Sequence, residues 1–89
     1  MVDHGAERAV VENGKSLLPS GVVRTDGHFT SGDCVEMKSV SGTVVARGIA
    51  NYSSSEMDRI KGLKSLDIEK ELGYKYTEEV VHRDNMVVI

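Results

Sequence analysis

The stretch GDCVEMKSVSGTVVARGIA, residues 32–50, decides the fold, because its apolar and polar residues alternate on both sides of a turn signal. Ser41-Gly42 predicts a two-residue hairpin turn, since glycine tolerates a positive φ. The register set by this turn gives three cross-strand pairs: Glu36 with Arg47, Met37 with Ala46, and Val40 with Thr43.

In this register one face of the hairpin is apolar and the other is mixed. The apolar face holds Val35, Met37, Val44, Ala46 and Gly48. The mixed face holds Glu36, Lys38, Val45 and Arg47. A slip by one residue would place the carboxylate of Glu36 in the core, so the alternation itself fixes the pairing.

The segment before the hairpin predicts a helix, a strand and a turn. The helix signal is the i, i+3, i+4 spacing of Ala6, Ala9 and Val10, with Gly14 placed to end the helix. Residues 22–24, Val-Val-Arg, predict a short strand, and Asp26-Gly27 predicts a turn. GHFTSGD, residues 27–33, has the glycine spacing of a phosphate loop, but Asp33 stands where such a loop needs lysine. We therefore interpret it as a turn that enters the next strand.

The segment after the hairpin predicts two helices followed by two strands. The first helix is indicated by Ser53 and Glu56 at capping-box spacing and ends at Gly62. The second is capped by Ser65, has Ile68 and Leu72 on one face, and ends at Gly73. We favour a strand-to-helix junction over a catalytic serine cluster for residues 53–55. Tyr74 to the end predicts two short strands, the last at residues 86–89, separated by the polar residues 82–85.

Composition limits the class of protein. The 89 residues suit a single domain over residues 1–89, mainly β with short helices (α+β) and barrel-like in form. The longest apolar run is far below the roughly 20 residues of a membrane span, so we expect no membrane contact. The single cysteine, Cys34, excludes an internal disulfide and fits a cytoplasmic location. On its predicted strand we expect Cys34 to be a small buried thiol.

No catalytic, cofactor-binding or metal-binding residue is predicted in this chain. The histidines at 4, 28 and 82 and Cys34 lack the close spacing of metal ligands. The serine run lacks the setting of a nucleophile elbow. The net charge of −3 gives no overall attraction to nucleic acid.

Residues 82–85, His-Arg-Asp-Asn, have two readings. They form a polar turn between strands, or His82 and Arg83 present an edge that contacts phosphate. Lys15, Arg24 and Arg47 are cations that could join such an edge. Arg47 is the weaker candidate, because the hairpin register offers it Glu36 as a partner.

Read together, several segments resemble one family. They are DHGAERAV, GKSLLPSGV, GHFTSGDCV, ARGIANYSSSE, ELGY and EEVVHRDNMVV, which occur here in the order found in the C-terminal PUA domain of the glutamate 5-kinase family. The resemblance covers nearly all of the chain. It implies a PUA-like pseudo-barrel of mixed strands with peripheral helices.

The resemblance also implies a function for the parent protein. Its kinase domain, absent from this chain, would phosphorylate glutamate with ATP and Mg in proline biosynthesis. This chain would be an accessory module without catalytic activity, and its partners would be that kinase domain or other subunits, in assembly or regulation.

RNA is the alternative partner, because relatives in RNA-modifying enzymes hold RNA with this fold. The positions that match their binding surface are Asp3, Gly5, Ala6, His82 and Arg83, and Lys15 is added as a cation that could join this surface. The acidic balance and the few aromatic residues depart from the RNA-binding pattern.

Overall fold

Short helices alternate with the strands of one small sheet in the computed structural model, which describes all 89 residues. The elements are α1 (His4–Val11), a 3-10 turn (Pro19–Gly21), β1 (Cys34–Lys38), β2 (Val44–Ala50), α2 (Ser54–Ile60), a second 3-10 turn (Ser65–Asp67), α3 (Ile68–Leu72) and β3 (Val81–Val88). The sheet is antiparallel with the order β1-β2-β3, so β2 is central and β3 lies at an edge. The predicted α+β class is confirmed.

The N-terminal segment connects the two open edges of the sheet. Beside β1, the backbone N–H of Val2 donates to the carbonyl of Lys38 at 2.8 Å. Beside β3, Leu17 forms an isolated antiparallel bridge with Val81. A three-stranded sheet is thereby closed into a barrel-like body, which is how so few strands enclose a core.

The core is aliphatic with one buried tyrosine. It consists of Val2, Val10, Leu17, Val22, Met37, Ala46, Ala50, Tyr52, Met57, Ile60, Ile68, Leu72, Val80 and Val81. Every helix and strand contributes at least one of these side chains. None of the helices has the length and hydrophobicity that a membrane crossing requires.

The register of the hairpin is confirmed over most of its length. Glu36 pairs with Arg47 and Met37 with Ala46, and the Glu36 carboxylate is exposed, 3.3 Å from the Arg47 guanidinium. An exposed ion pair of this kind contributes little stability. Burial of Met37 and Ala46 on the opposite face is therefore what holds the register.

The turn of the hairpin differs from the two-residue turn predicted at Ser41-Gly42. The amide of Gly42 donates to the carbonyl of Ser39, and the amide of Ser39 donates to the carbonyl of Thr43, both at 2.9 Å. This is a three-residue loop with Gly42 at φ 90°, and the predicted pairing of Val40 with Thr43 is wrong.

A bulge in β2 compensates for the longer loop. Lys38 pairs with Val44 whereas Met37 pairs with Ala46, so Val45 is the extra residue. The side chain of Val45 packs against the core, a role that the simple alternation gave to Val44. Beyond the bulge the predicted faces are restored.

The capping box at α2 is confirmed. The Ser53 hydroxyl accepts the amide of Glu56 at 3.2 Å, and the Glu56 carboxylate accepts the amide of Ser53 at 2.8 Å. The predicted cap at Ser65 is wrong, since its hydroxyl donates to the carbonyl of Glu78 at 3.1 Å. That contact ties the start of the second 3-10 turn to the loop before β3.

Several predicted strand and burial assignments are also wrong. Residues 22–24 form a single bridge through Val22 rather than a strand, and residues 74–80 form a loop. Residues 82–85 lie within β3 rather than in a turn between two strands. Cys34 begins β1 but its side chain is exposed, because it lies beside Ile49 on the face that points away from the core.

Candidate nucleic-acid edge

The first group of predicted site residues lies at the start of α1. Asp3 caps this helix, and its carboxylate accepts the amide of Ala6 at 2.8 Å. Asp3, Gly5 and Ala6 line a shallow cavity of about 300 Å³ together with residues of the first 3-10 turn. The Asp3 carboxylate already occupies the helix N-terminus, so an incoming phosphate would meet a negative charge there.

The second group lies on β3, where the ladder is interrupted. Gly48 pairs with Met86 and Ala50 pairs with Val81, so residues 82–85 face the single residue Ile49. We call this segment the β3 bulge. Its backbone continues the strand, but it contains more residues than the facing part of β2, and its side chains are polar. The sequence pattern gave no signal for it, because a polar run between apolar segments resembles a turn.

Gly48 permits the β3 bulge to approach β2. A Cβ at this position would lie 2.5 Å from a methyl carbon of Val81 and 2.9 Å from the carbonyl oxygen of Asn85. Both distances are shorter than any ordinary carbon contact, so a side chain cannot be added without moving β3. The position of the bulge therefore depends on a residue in the central strand.

The backbone amides within the β3 bulge find local acceptors. The Arg83 amide donates to the Ser16 hydroxyl at 2.8 Å, which places Lys15 and Arg83 on adjacent segments. The Asp84 amide donates to Nδ1 of His82 at 3.0 Å.

Charge at the β3 bulge is mixed. Seven of the eleven cationic side chains form ion pairs with carboxylates; the four that do not are Lys15, Lys38, Lys64 and Arg83. Both Lys15 and Arg83 are thus free to bind an anion. The Asp84 carboxylate, 3.6 Å from the His82 ring, offsets part of that positive charge.

The six predicted residues therefore form two groups rather than one surface. Lys15, His82 and Arg83 are brought together through Ser16, whereas Asp3, Gly5 and Ala6 lie around the cap of α1. The helix lies beside β2 and β3, but no hydrogen bond or ion pair joins the two groups. Arg24 and Arg47 each pair with a carboxylate elsewhere.

A further cleft is lined by other residues. It measures about 340 Å³ and has an apolar floor that includes Val2, Leu17 and Met57. Its rim carries Arg24 and Asp26, which pair with each other at 3.5 Å, and the exposed Cys34. No three His, Cys, Asp or Glu side chains converge anywhere as a metal ion would require.

Comparison with known proteins assigns the family. The sequence profile of the PUA domain matches residues 1–72. The chain belongs to the PUA domain family. The fold agrees, because a conserved PUA domain protein from Thermoplasma acidophilum superposes with a TM-score of 0.60 and 26% identity, over 91% of this chain and 45% of that one.

The PUA domain is also similar to glutamate 5-kinases. Identity is 57% over 99% of this chain for the enzymes from Caldanaerobacter subterraneus and Syntrophotalea carbinolica, and 51% for that of Thermus thermophilus. The expected resemblance is confirmed. The chain spans about a quarter of the length of these relatives, 24% in each case.

One feature of this PUA domain has no counterpart in the sequence pattern. The three tyrosines lie in a column, with ring centroids 5.2 Å apart from Tyr52 to Tyr76 and again from Tyr76 to Tyr74. Tyr52 is buried and its hydroxyl organises the loop before β3. Their separation along the chain gave no signal, since nothing local relates residue 52 to residues 74 and 76.

Proposed function

We propose that this PUA domain is a non-catalytic accessory module of a glutamate 5-kinase. The observation that carries the proposal is the identity of 51–57% along 99% of the chain to enzymes about four times as long. In such an enzyme, ATP and Mg would bind to the kinase domain, which lies outside these 89 residues. The module would act in assembly or in regulation.

The roles of the polar side chains support an accessory function. The serine run, the most suggestive polar segment, is used for local structure: Ser53 caps α2, and the Ser54 hydroxyl donates to the carbonyl of Phe29 at 3.3 Å. Ser53 and Ser54 thus each have a structural contact that accounts for them.

The outer edge of β3 supports a role in assembly. Val87, Val88 and Ile89 are 69%, 43% and 66% exposed. β3 is an edge strand, and beyond the bridge at Val81 no further strand pairs with it. Apolar side chains on an open edge are typical of a surface that meets another chain or domain.

Removal of the domain tests the proposal. Deletion of residues 1–89 from the enzyme that carries them should leave phosphoryl transfer measurable, while the oligomeric state or the inhibition by proline changes. Sedimentation and steady-state kinetics report these quantities. An enzyme with unchanged assembly, turnover and proline response would remove the accessory role.

A point substitution locates the contact. Val87→Lys adds a charge to the exposed edge and should reproduce the assembly defect without unfolding the domain. Leu66→Lys is the matched control, because Leu66 is 78% exposed and lies on the second 3-10 turn. Equal effects of the two substitutions would show that the edge of β3 is not the contact.

RNA binding is the second candidate function. It is favoured by Lys15 and Arg83, which have no ion-pair partner and lie on segments joined by the Ser16 hydrogen bond. Binding to phosphates would weaken steeply with salt, because each contact releases counterions. The carboxylates of Asp3 and Asp84 act against it.

Titration of a labelled hairpin RNA at two salt concentrations tests this candidate. Arg83→Ala should lower the salt dependence by about 0.7 in the slope of log K against log salt if the contact is to a single strand. Lys64→Ala removes another unpaired, exposed cation and is the matched control. No binding at low salt, or equal losses for both variants, would exclude the β3 bulge as an RNA site.

A further inference from the structure

The tyrosine column ends in two exposed rings. Tyr74 and Tyr76 are 41% and 58% exposed, whereas Tyr52 is fully buried. The Tyr52 and Tyr76 rings stack at an interplanar angle of 27°, and Tyr74 is tilted by 39° to Tyr76. A substantial aromatic surface is therefore open to solvent on a chain with only four aromatic residues.

Hydrogen bonds hold the loop that carries these rings. The Tyr52 hydroxyl accepts the amides of Tyr76 and Thr77 at 3.0 and 3.1 Å and donates to the carbonyl of Thr77 at 2.6 Å. The loop is thus fixed to a buried side chain of the core. A ligand that meets the rings would not have to order them, which reduces the entropic cost of binding.

A carboxylate lies at the edge of the same rings. Glu56 accepts a hydrogen bond from the Tyr74 hydroxyl and one from the amide of Ser53, and no cationic side chain pairs with it. Burial favours a raised pKa for Glu56, but hydrogen bonds from Ser53, Tyr74 and Tyr76 outweigh it and lower that pKa below its usual value. The carboxylate is therefore ionised at neutral pH, and only dipoles offset its charge.

We propose that Tyr74, Tyr76 and Glu56 form a binding site for the guanidinium group of an arginine carried by a protein partner. We call these three residues the aromatic–carboxylate site. A guanidinium stacks on the face of an aromatic ring and donates to carboxylates, so both parts of the site favour it. Two oxygens provide about four acceptor positions, so Glu56 retains capacity beyond its existing bonds.

The charge of the site selects among occupants. A nucleic acid could stack a base on the rings, but its phosphates would approach an ionised carboxylate that no cation neutralises. A neutral apolar segment would bury that carboxylate at a cost in desolvation. An arginine removes both difficulties, since its guanidinium supplies the positive charge that would pair with the Glu56 carboxylate. The proposed site goes beyond the accessory role, because it states which chemical group of a partner this domain would bind.

An NMR titration of the intact 89-residue chain tests the proposal. The probe is the peptide acetyl-Gly-Arg-Gly-amide, and the control is the same peptide with citrulline, which has nearly the same shape without the charge. The arginine peptide should shift the resonances of Glu56 and residues 74–77 and should bind more tightly than the citrulline peptide. Equal binding of the two peptides would overturn the proposal.

Substitutions separate the charge from the rings. Glu56→Gln keeps the capping box, since glutamine serves at that position, but removes the charge. Tyr74→Leu removes the ring at the outer end of the column, and its loss should weaken binding of the arginine peptide about two- to five-fold, which corresponds to about 0.5–1 kcal/mol for an exposed cation–π contact. Glu56→Gln should weaken it at least as much. Tyr74→Phe lacks the hydroxyl as Tyr74→Leu does but keeps the ring, so it should bind the arginine peptide more tightly than Tyr74→Leu.

Asp84→Asn is the matched control for charge. It removes one exposed carboxylate from the β3 bulge, so the net charge changes as in Glu56→Gln. It should leave the affinity for the arginine peptide unchanged. If Asp84→Asn and Glu56→Gln weaken binding equally, the effect is one of net charge and no aromatic–carboxylate site exists. Circular dichroism of each variant verifies that the fold is intact.

Discussion

Gly48→Ala is the sharpest test of how β3 is placed against β2. Gly48 has no positive φ, so its backbone conformation is open to alanine. The added Cβ would lie 2.5 Å from a methyl carbon of Val81 and 2.9 Å from the carbonyl oxygen of Asn85. Val81 is fully buried and cannot swing aside, and Asn85 contributes a backbone atom. β3 must therefore move.

The magnitude follows from two opposing effects. Overpacking of a well-filled core costs about 1–3 kcal/mol, and a contact with backbone places this case in the upper part of that range. Replacing glycine by alanine in a strand returns about 0.5–1 kcal/mol of conformational entropy. The net loss in the free energy of unfolding should be about 1–2.5 kcal/mol. For a domain of this size, that lowers the Tm by about 5–20 °C.

Thermal and urea denaturation, followed by circular dichroism, measure the effect. Gly5→Ala is the matched control, since its Cβ would lie 3.6 Å from an Asp3 carboxylate oxygen, an ordinary contact, and its stability should equal or slightly exceed that of the parent. Combining Gly48→Ala with Val81→Ala should cost less than the sum of the two substitutions, because they share one contact. A Gly48→Ala variant that melts at or above the parent would refute the close approach of β3.

Three further predictions concern α2 and the tyrosine column. Ser53→Ala should lower the free energy of unfolding by about 1 kcal/mol, measured by urea denaturation, because the capping box is lost; a loss as large in Ser55→Ala, which lacks that role, would contradict this. Tyr52→Phe should destabilise the chain by about 1–3 kcal/mol and speed hydrogen exchange at the Tyr76 amide, which loses its acceptor; unchanged exchange there would contradict the observed anchor. Because the pKa of Glu56 is lowered in the folded state, its contribution to stability is present above its unfolded pKa near 4.5 and is lost as the pH falls through the folded value. The Tm difference between the parent and Glu56→Gln should therefore shrink from pH 6 to pH 3, and a constant difference would be inconsistent with that shift.

Local sequence signals predicted the parts of the fold that depend on neighbouring residues. The capping box of Ser53 and Glu56 is such a case, because both hydrogen bonds join residues three apart. The pairing of Met37 with Ala46 is another, since alternation over a short hairpin allows only one buried face. Even there, the predicted loop length was wrong. The loop has three residues instead of two, and the bulge at Val45 restores the predicted pairing of the residues farther from the turn.

Assignments that depend on distant residues were the ones that failed. Cys34 was expected to be buried, yet it is exposed, on the same face of β1 as Glu36. Residues 82–85 read as a turn, and only the contact with Gly48 and the acceptor at Ser16 shows them to be a bulge. The proposed RNA-binding residues likewise separate into two groups, because three of them lie around the cap of α1 and the other three lie at or next to the β3 bulge.

The family followed from the resemblance of several sequence segments to a known domain. The short helices, the capping box of Ser53 and Glu56, and most of the hairpin register could be predicted from the sequence, because they depend on periodicity and on hydrogen bonds between near neighbours. Only the tertiary structure shows that the Ser16 hydroxyl accepts the amide of Arg83, and that the buried Tyr52 fixes a loop bearing Tyr74 and Tyr76 next to Glu56. Those contacts join residues 18 to 67 positions apart, a separation that no local pattern encodes. They form only when burial of the shared core brings the segments together.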